Sequence, residues 1–516
     1  MLGAAEIPWT TQAGYPVLAA LQLLPLALLV PVYLFRRDTL VLWTGILGAA
    51  VELLLAADLY RRFDPGEAGF QLAERVDLVP PLAYRVGVDG MGVIFVLLTA
   101  LLTVFVVLYG GTRGRGASRG FLASTFAIES ALMGMLTTLD LLWFTTLSAL
   151  QLVLVGYVLW SWATSPGRDL MLIRYLQFMA AGVALLMAGT LMLGWAHADA
   201  TGGRWSFALA DLATLRPPPT FQSVVFLLLF YGIAIRIPVF PLHGWLPLTT
   251  EHGQIARGPV FLLGIKTGVF GLLRFVLPIL PDAVLRWQHV VVALALAGIF
   301  YAALLALMQD NLRRLLAYAV VSHTGLLVIG LFSLSHAGFQ GVIILSVDFG
   351  LAMAVLLFMT GFLQRRTRTA LLPRLGGLFE RLPLIGIAFL VGSLSILQMP
   401  GTPGFDAAHL MLEAAMDQFG ALLTIAAALG NVAAAAFLLW AFQRAFLAPR
   451  PNTMPAGQIA RATRLERLIA VGLITVLLGA GFYSEPMLRL TERSLLDTAS
   501  LFNPAPGAGL HAEPAP

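Results

Sequence analysis

Apolar runs of helical length recur almost from one end of this sequence to the other, and no other feature constrains the fold as tightly. An α-helical crossing of a bilayer core takes roughly 20 apolar residues. Runs of that kind place spans near 15–35, 40–60, 91–110, 121–139, 141–162, 175–197, 222–246, 258–280, 287–308, 312–334, 337–363, 382–399 continuing through 405–416, 421–446 and 465–483. The expectation is an all-α polytopic membrane protein with about 14 transmembrane helices. With 59% hydrophobic and 11% charged residues, a soluble multidomain enzyme is excluded. There is no cysteine, which removes disulfides, thiolate chemistry and Cys-ligated iron–sulfur clusters, and the histidines are scattered rather than clustered. Without a Gly-rich dinucleotide turn or a P-loop, an independent redox enzyme is disfavoured, so driving energy comes from partners or from an ion gradient.

A formal charge of +5 points to no nucleic acid in such a chain; what counts is where the arginines fall. Arg36 and Arg37 follow span 1, Arg113, Arg115 and Arg119 follow span 3, and Arg168 and Arg174 follow span 5. Arg313 and Arg314 follow span 9, a cluster from Arg365 to Arg381 follows span 11, and Arg444, Arg450, Arg461, Arg464 and Arg467 follow span 13. All are odd-to-even connections, so the positive-inside rule puts these loops in the cytoplasm and both termini outside, in a bacterial-type inner membrane. Arg61, Arg62, Arg75 and Arg85 break the parity, in a longer loop diluted by Asp64, Glu67, Glu74 and Asp77. The first residues lack a basic run, so span 1 is expected to stay uncleaved, and the Pro/Gly/Ala-rich stretch 503–516 is expected to be a disordered tail.

Two helices carry breaks: Arg236-Ile237-Pro238-Val239-Phe240-Pro241 and Gln398-Met399-Pro400-Gly401-Thr402-Pro403, proline pairs of equal spacing in the two halves of the chain. Proline removes a backbone donor, and the freed carbonyls are tolerated at membrane depth only where protein or a wet cavity satisfies them. The pair reads either as an internal repeat around a transport path or as two ordinary kinks.

Ionisable residues inside spans are the next signal, because charge in lipid is costly. Lys266 is the only lysine, set in mid-span; an amine can exchange a proton where guanidinium cannot, and a proton relay is favoured over a static buried ion pair. Arg274, two turns on, is expected to snorkel. Glu129 must be protonated or paired. Arg236 is expected to be counter-ion to a carboxylate. His323 reads equally as a proton carrier or a packing residue. Asp348 is a further candidate, and Asp406 and His409 share a helical face just after the second break. Glu52, Asp58, Glu413 and Asp417 are expected to be solvated near span ends.

Gly87-Val88-Asp89-Gly90-Met91, the stretch from Pro238 to His243-Gly244-Trp245-Leu246-Pro247, Lys266-Thr267-Gly268 with Gly271-Leu272-Leu273-Arg274-Phe275, Arg314-Leu315-Leu316-Ala317-Tyr318 with Ser322-His323, Met399-Pro400-Gly401-Thr402 and Gly481-Phe482-Tyr483 occur in this order. Together they resemble the antiporter-like subunits of respiratory complex I, of the NuoM/NdhD type and related to Mrp antiporters. The resemblance implies fourteen helices with two inverted five-helix repeats, each holding a broken helix. It divides the chain into helices 1–3 (1–120), a first repeat (121–280), a second repeat (287–446), a loop with the last span and an amphipathic end (447–502), and the tail.

It also implies a membrane-arm subunit that couples electron transfer to proton translocation, among other integral membrane subunits in the bilayer. NADH, flavin, iron–sulfur clusters and quinone are expected only in those partners, and no metal in this chain. Carried over residue by residue, Lys266 falls on the family's central lysine, His323 on a histidine of its proton path, and Glu129 on a fourth-span glutamate of some members. Arg236 replaces a lysine, Ala149 the fifth-span glutamate, Ala408 the acid after the second break, and Phe349 a histidine, beside Asp348. Arg236 thus loses its expected partner: Glu129 has taken that role, or a neighbouring subunit supplies an acid, or this half no longer pumps. An energy-coupling subunit of a related complex (inorganic-carbon uptake, membrane hydrogenase or cation/proton antiporter) and a scaffold subunit that no longer pumps are the alternatives.

Overall fold

The structure is a computed structural model that describes residues 14–79, 82–112, 118–163, 166–253, 266–451 and 459–502. The tail, Arg113, Arg115 and the first part of the eighth expected span lie outside the described residues.

Helices follow the apolar runs closely. The first six are α1 (Val17–Leu34), α2 (Asp38–Arg62), α3 (Gly90–Gly111), α4 (Arg119–Thr137), α5 (Leu141–Trp162) and α6 (Arg168–Ala200). The first broken region has α7 (Pro219–Ala234), irregular turns, then α8 (Leu246–His252). α9 runs from residue 266 through a π-helical turn, Leu272–Val276, to Ile279. α10 (Pro281–Leu307), α11 (Leu312–Phe332) and α12 (His336–Thr367) follow, then the second broken pair, α13 (Pro383–Ile396) and α14 (Pro403–Phe419). α15 (Ala421–Phe442), α16 (Arg464–Phe482) and the amphipathic α17 (Glu485–Ser500) complete the order. Among the described residues eleven helices are long and apolar enough to cross a membrane. α7 and α13 are shorter because each stops at its break.

Polar caps set the starts: Asp89 accepts from the Gly92 N–H at 2.9 Å, Asp140 from Trp143, Asn311 from Arg313, Ser335 from Gly338, and Thr463 with Glu466 forms a capping box. α11 and α12 are buried along their whole hydrophobic length and form the centre of the bundle, whereas α1, α2, α6, α15 and α16 keep an exposed apolar side.

The fold is predominantly helical, as expected, with one two-stranded sheet among the described residues. The loop after α2 is an antiparallel hairpin, β1 (Gln71–Val79) with β2 (Leu82–Val88). Leu72, Val86 and Val88 are buried against the bundle, whereas Val76 is exposed. Glu74 projects from it to accept the N–H groups of Leu18 and Ala19 at 2.8 and 3.1 Å, filling orphan donors at the start of α1. Burial pushes the Glu74 carboxyl up from its usual range, against those two donors.

Candidate functional site

Both breaks are closed by side chains that take over the bonds proline gives up. Pro238 offers no N–H to Ala234; the Val239 N–H reaches that carbonyl at 3.2 Å, and the Trp245 indole donates to Ile235 O at 2.9 Å. At the second break Pro400 offers nothing to Ile396 O, and His323 Nε2 stands 3.0 Å from it. His323 Nδ1 lies 2.9 Å from Ala319 O. A neutral imidazole donates once, so only the imidazolium satisfies both carbonyls. Gln398 sits at φ 58°, a conformation costly for a non-glycine residue, with Asn431 donating to its amide oxygen. A small cavity lined by Ile299, Ser322, His323, Leu326, Gly430 and Asn431 opens beside the imidazole.

Three consecutive residues of α12 tie the site together. Asp348 accepts a hydrogen bond from Ser395 of α13, and its Oδ2 lies 3.0 Å from where a Cβ on Gly404, in the first turn of α14, would stand. A carboxylate at a helix N-terminus is favourably placed. Phe349 meets the His323 ring edge-on, centroids 5.3 Å apart. Gly350 leaves open the space that Lys266 Nζ fills; a Cβ there would collide with the amine. Lys266 is 4% exposed, its Nζ has no hydrogen-bond partner among the described residues, and it lies within electrostatic reach of Asp348, itself 0% exposed. Lys266, Asp348, His323 and the second break thus form one buried assembly.

Arg236 departs from expectation. Its guanidinium donates to the Gln151 amide oxygen and, at 3.0 Å, to the Ser148 carbonyl of α5, both uncharged, and it forms no ion pair with a carboxylate among the described residues. Glu129 has not moved to it. Glu129 is buried on α4 and interacts instead with Glu52 of α2. Glu52 is 0% exposed, which corrects its assignment as solvated. The missed signal was the spacing of Val41, Gly45, Gly48, Ala49, Ala56 and Leu59, which puts Glu52 on the buried face of its helix. Arg274 does not snorkel: it is buried, 2.6 Å from Asp89, and its guanidinium lies over the rings of Phe70 and Phe270. Asp406 is half-buried and bound to the Ser484 hydroxyl, and His409 is exposed, so neither joins the central assembly.

Residues 172–434 match the family model described as NADH:quinone oxidoreductase/Mrp antiporter, TM. A Synechococcus NAD(P)H-quinone oxidoreductase chain 4 is 31% identical over 95% of this chain and 93% of its own length. The chain belongs to the NADH:quinone oxidoreductase/Mrp antiporter family. Mycobacterium tuberculosis NADH-quinone oxidoreductase subunit M is another relative, 26% identical over 97% of both chains. Among solved structures, a chain of respiratory complex I from Thermus thermophilus superposes with a TM-score of 0.81 at 27% identity, covering 94% of this chain and 99% of that one. A chain of the Mrp complex from Dietzia shares the fold with a TM-score of 0.81 at 19% identity, covering 95% of this chain and 98% of that one.

Two of the motifs that carry the family likeness have structural reasons. In Gly87-Val88-Asp89-Gly90-Met91, Asp89 caps α3 and binds Arg274, while a Cβ on Gly90 would strike the Leu490 carbonyl, so α17 docks directly on that glycine. Gly481 stands where a Cβ would strike Gly401 O and come within 2.5 Å or so of Thr402, which lets α16 close against the second break.

Proposed function

We propose that this chain is a membrane-arm, proton-translocating subunit of an NADH:quinone oxidoreductase-type complex, in which Lys266 and Asp348 form the exchanging pair. The observation that carries the reading is the buried amine of Lys266 lodged against Gly350, two residues from a carboxylate bound to the second broken helix. Family membership supports the class of assembly. An ionised Asp348 favours the ammonium form of Lys266, and loss of that charge, by protonation or by movement of the helix break, favours release of the lysine proton. His323 of α11, edge-on to Phe349 of α12, is the next acceptor: taking up a proton gives it a second bond, to a carbonyl that the proline break has freed. The small cavity beside it, with Ser322 and Asn431 in its wall, is the next polar ground the proton meets.

Asp348 also accounts for Ala408. Ala408 lies one turn beyond Gly404 on α14, and Asp348 approaches that face from α12, so the acid is kept at the break from a different helix. In the first half, Arg236 on Gln151 and Ser148 is a fixed positive charge that orders the break and does not carry protons. The partners are other integral membrane subunits, which hold the electron carriers. The Arg-rich odd loops face the cytoplasm of a bacterial-type inner membrane, with both termini outside.

The test is a rescue. In the assembled complex in proteoliposomes, Asp348→Asn lowers protons moved per electron, and adding Ala408→Glu restores much of the loss. A ratio unchanged by Asp348→Asn overturns the pairing.

A further inference from the structure

Glu52 and Glu129 take no part in the assembly around Lys266, yet both are acids buried in the first half of the bundle. Glu52 occupies the middle of the buried face of α2, between Gly48 and Ala49 on one side and Ala56 on the other. α2 and α4 approach each other there through side chains, and the two acids interact electrostatically. Gly45 touches Leu122, and the residue seven further on in each helix is Glu52 and Glu129. Both carboxyl groups are at least nine-tenths buried, and all four of their oxygens lack a hydrogen-bond partner among the described residues. No basic side chain among the described residues forms an ion pair with either, and Thr103 of α3 stands beside Glu129.

Two carboxylates side by side in a low-dielectric interior cannot both stay ionised. A hard metal cation would recruit about six oxygen ligands, but Gly48, Ala49 and Ala56 share the buried face around Glu52, and no group of three or more His, Asp or Glu side chains stands together among the described residues. A proton needs only the two carboxyl groups. We propose that Glu52 and Glu129 hold one shared proton, making a second protonatable site lateral to the line of Lys266 and His323 that takes part in proton movement. The role in transport rests on the proton-translocating reading above; the shared proton does not.

In proteoliposomes of the assembled complex, E52Q, E129Q and the double variant are expected to lower protons moved per electron to the same level, because the two acids act as one unit. Equal losses support the pair; an unchanged ratio in E52Q, or losses that multiply in the double variant, overturn it. Lys266→Met in the same preparation separates the two claims. If it pumps normally, the central reading fails; if it is impaired while the double glutamine variant pumps fully, only the glutamate proposal fails. Should the variants not assemble, the unmodified complex is treated with dicyclohexylcarbodiimide, which adds to a protonated carboxyl group in apolar surroundings and leaves an N-acylurea. Mass spectrometry is expected to find the adduct at Glu52 or Glu129 but not both in one molecule. No adduct at either, or adducts at both, overturns the shared proton.

Discussion

Gly350→Ala tests the fit of the lysine more sharply than removal of the lysine does. The added methyl group would stand where Lys266 Nζ now lies, between α9 and α12, with Leu98 close on another side. Overpacking of this kind costs about 1–3 kcal/mol, and alanine returns about 1 kcal/mol of helix preference over glycine. The net loss of about 0–2 kcal/mol is small enough for the complex to assemble. The amine, however, has to withdraw by about 2 Å to reach ordinary contact. Moving a unit charge that far from an opposite charge about 5 Å away, beyond direct ion-pair contact, weakens the attraction by about 1 kcal/mol at an effective dielectric of about 20, roughly a five-fold change in the pairing equilibrium.

The variant is therefore expected to keep electron transfer to quinone while losing several-fold in the rate of proton uptake, measured by a pH-sensitive dye in proteoliposomes. The stability penalty should vanish when Lys266→Ala is present, because the two changes share one space. Normal pumping by Gly350→Ala, or an equal thermal penalty with and without Lys266, would refute the packing argument.

Other consequences are simpler to check. Asp89→Ala leaves the buried Arg274 guanidinium without its acid and should cost about 3–5 kcal/mol, read as loss of assembled complex or a lower melting temperature rather than as altered coupling. His323→Leu orphans the Ile396 carbonyl at about 1–3 kcal/mol and should also slow proton release, whereas a structural role alone would lower stability and leave pumping intact. Glu74 has its carboxyl raised by burial, so the folded state binds the proton more tightly than the unfolded chain. Its contribution is fully present below the ordinary carboxyl range and declines as pH rises through the raised value. Glu74→Gln should flatten that decline, read as hydrogen exchange at Leu18 and Ala19.

The helices, both breaks and the burial of Lys266 were legible because each rests on local signals: apolar length, paired prolines, a lone amine in an oily run. What escaped was long-range pairing. Arg274 and Asp89 lie 185 residues apart, and nothing near either one announces the other. Gln151, the partner of Arg236, is a neutral amide and carries no charge signal to search for. Asp348 was visible as a buried acid, but its tie to the second break needs the packing of α12 on α13 and α14. Glu52 was within reach of the sequence; the small-residue face around it was the available clue.

The central claim is that the Lys266 amine takes up and releases the protons this chain moves. Its most direct measurement is the number of protons translocated per electron by the assembled complex carrying Lys266→Met, in sealed proteoliposomes with quinone reduction recorded alongside. The account predicts a lowered ratio with the complex still assembled. An unaltered ratio would contradict it.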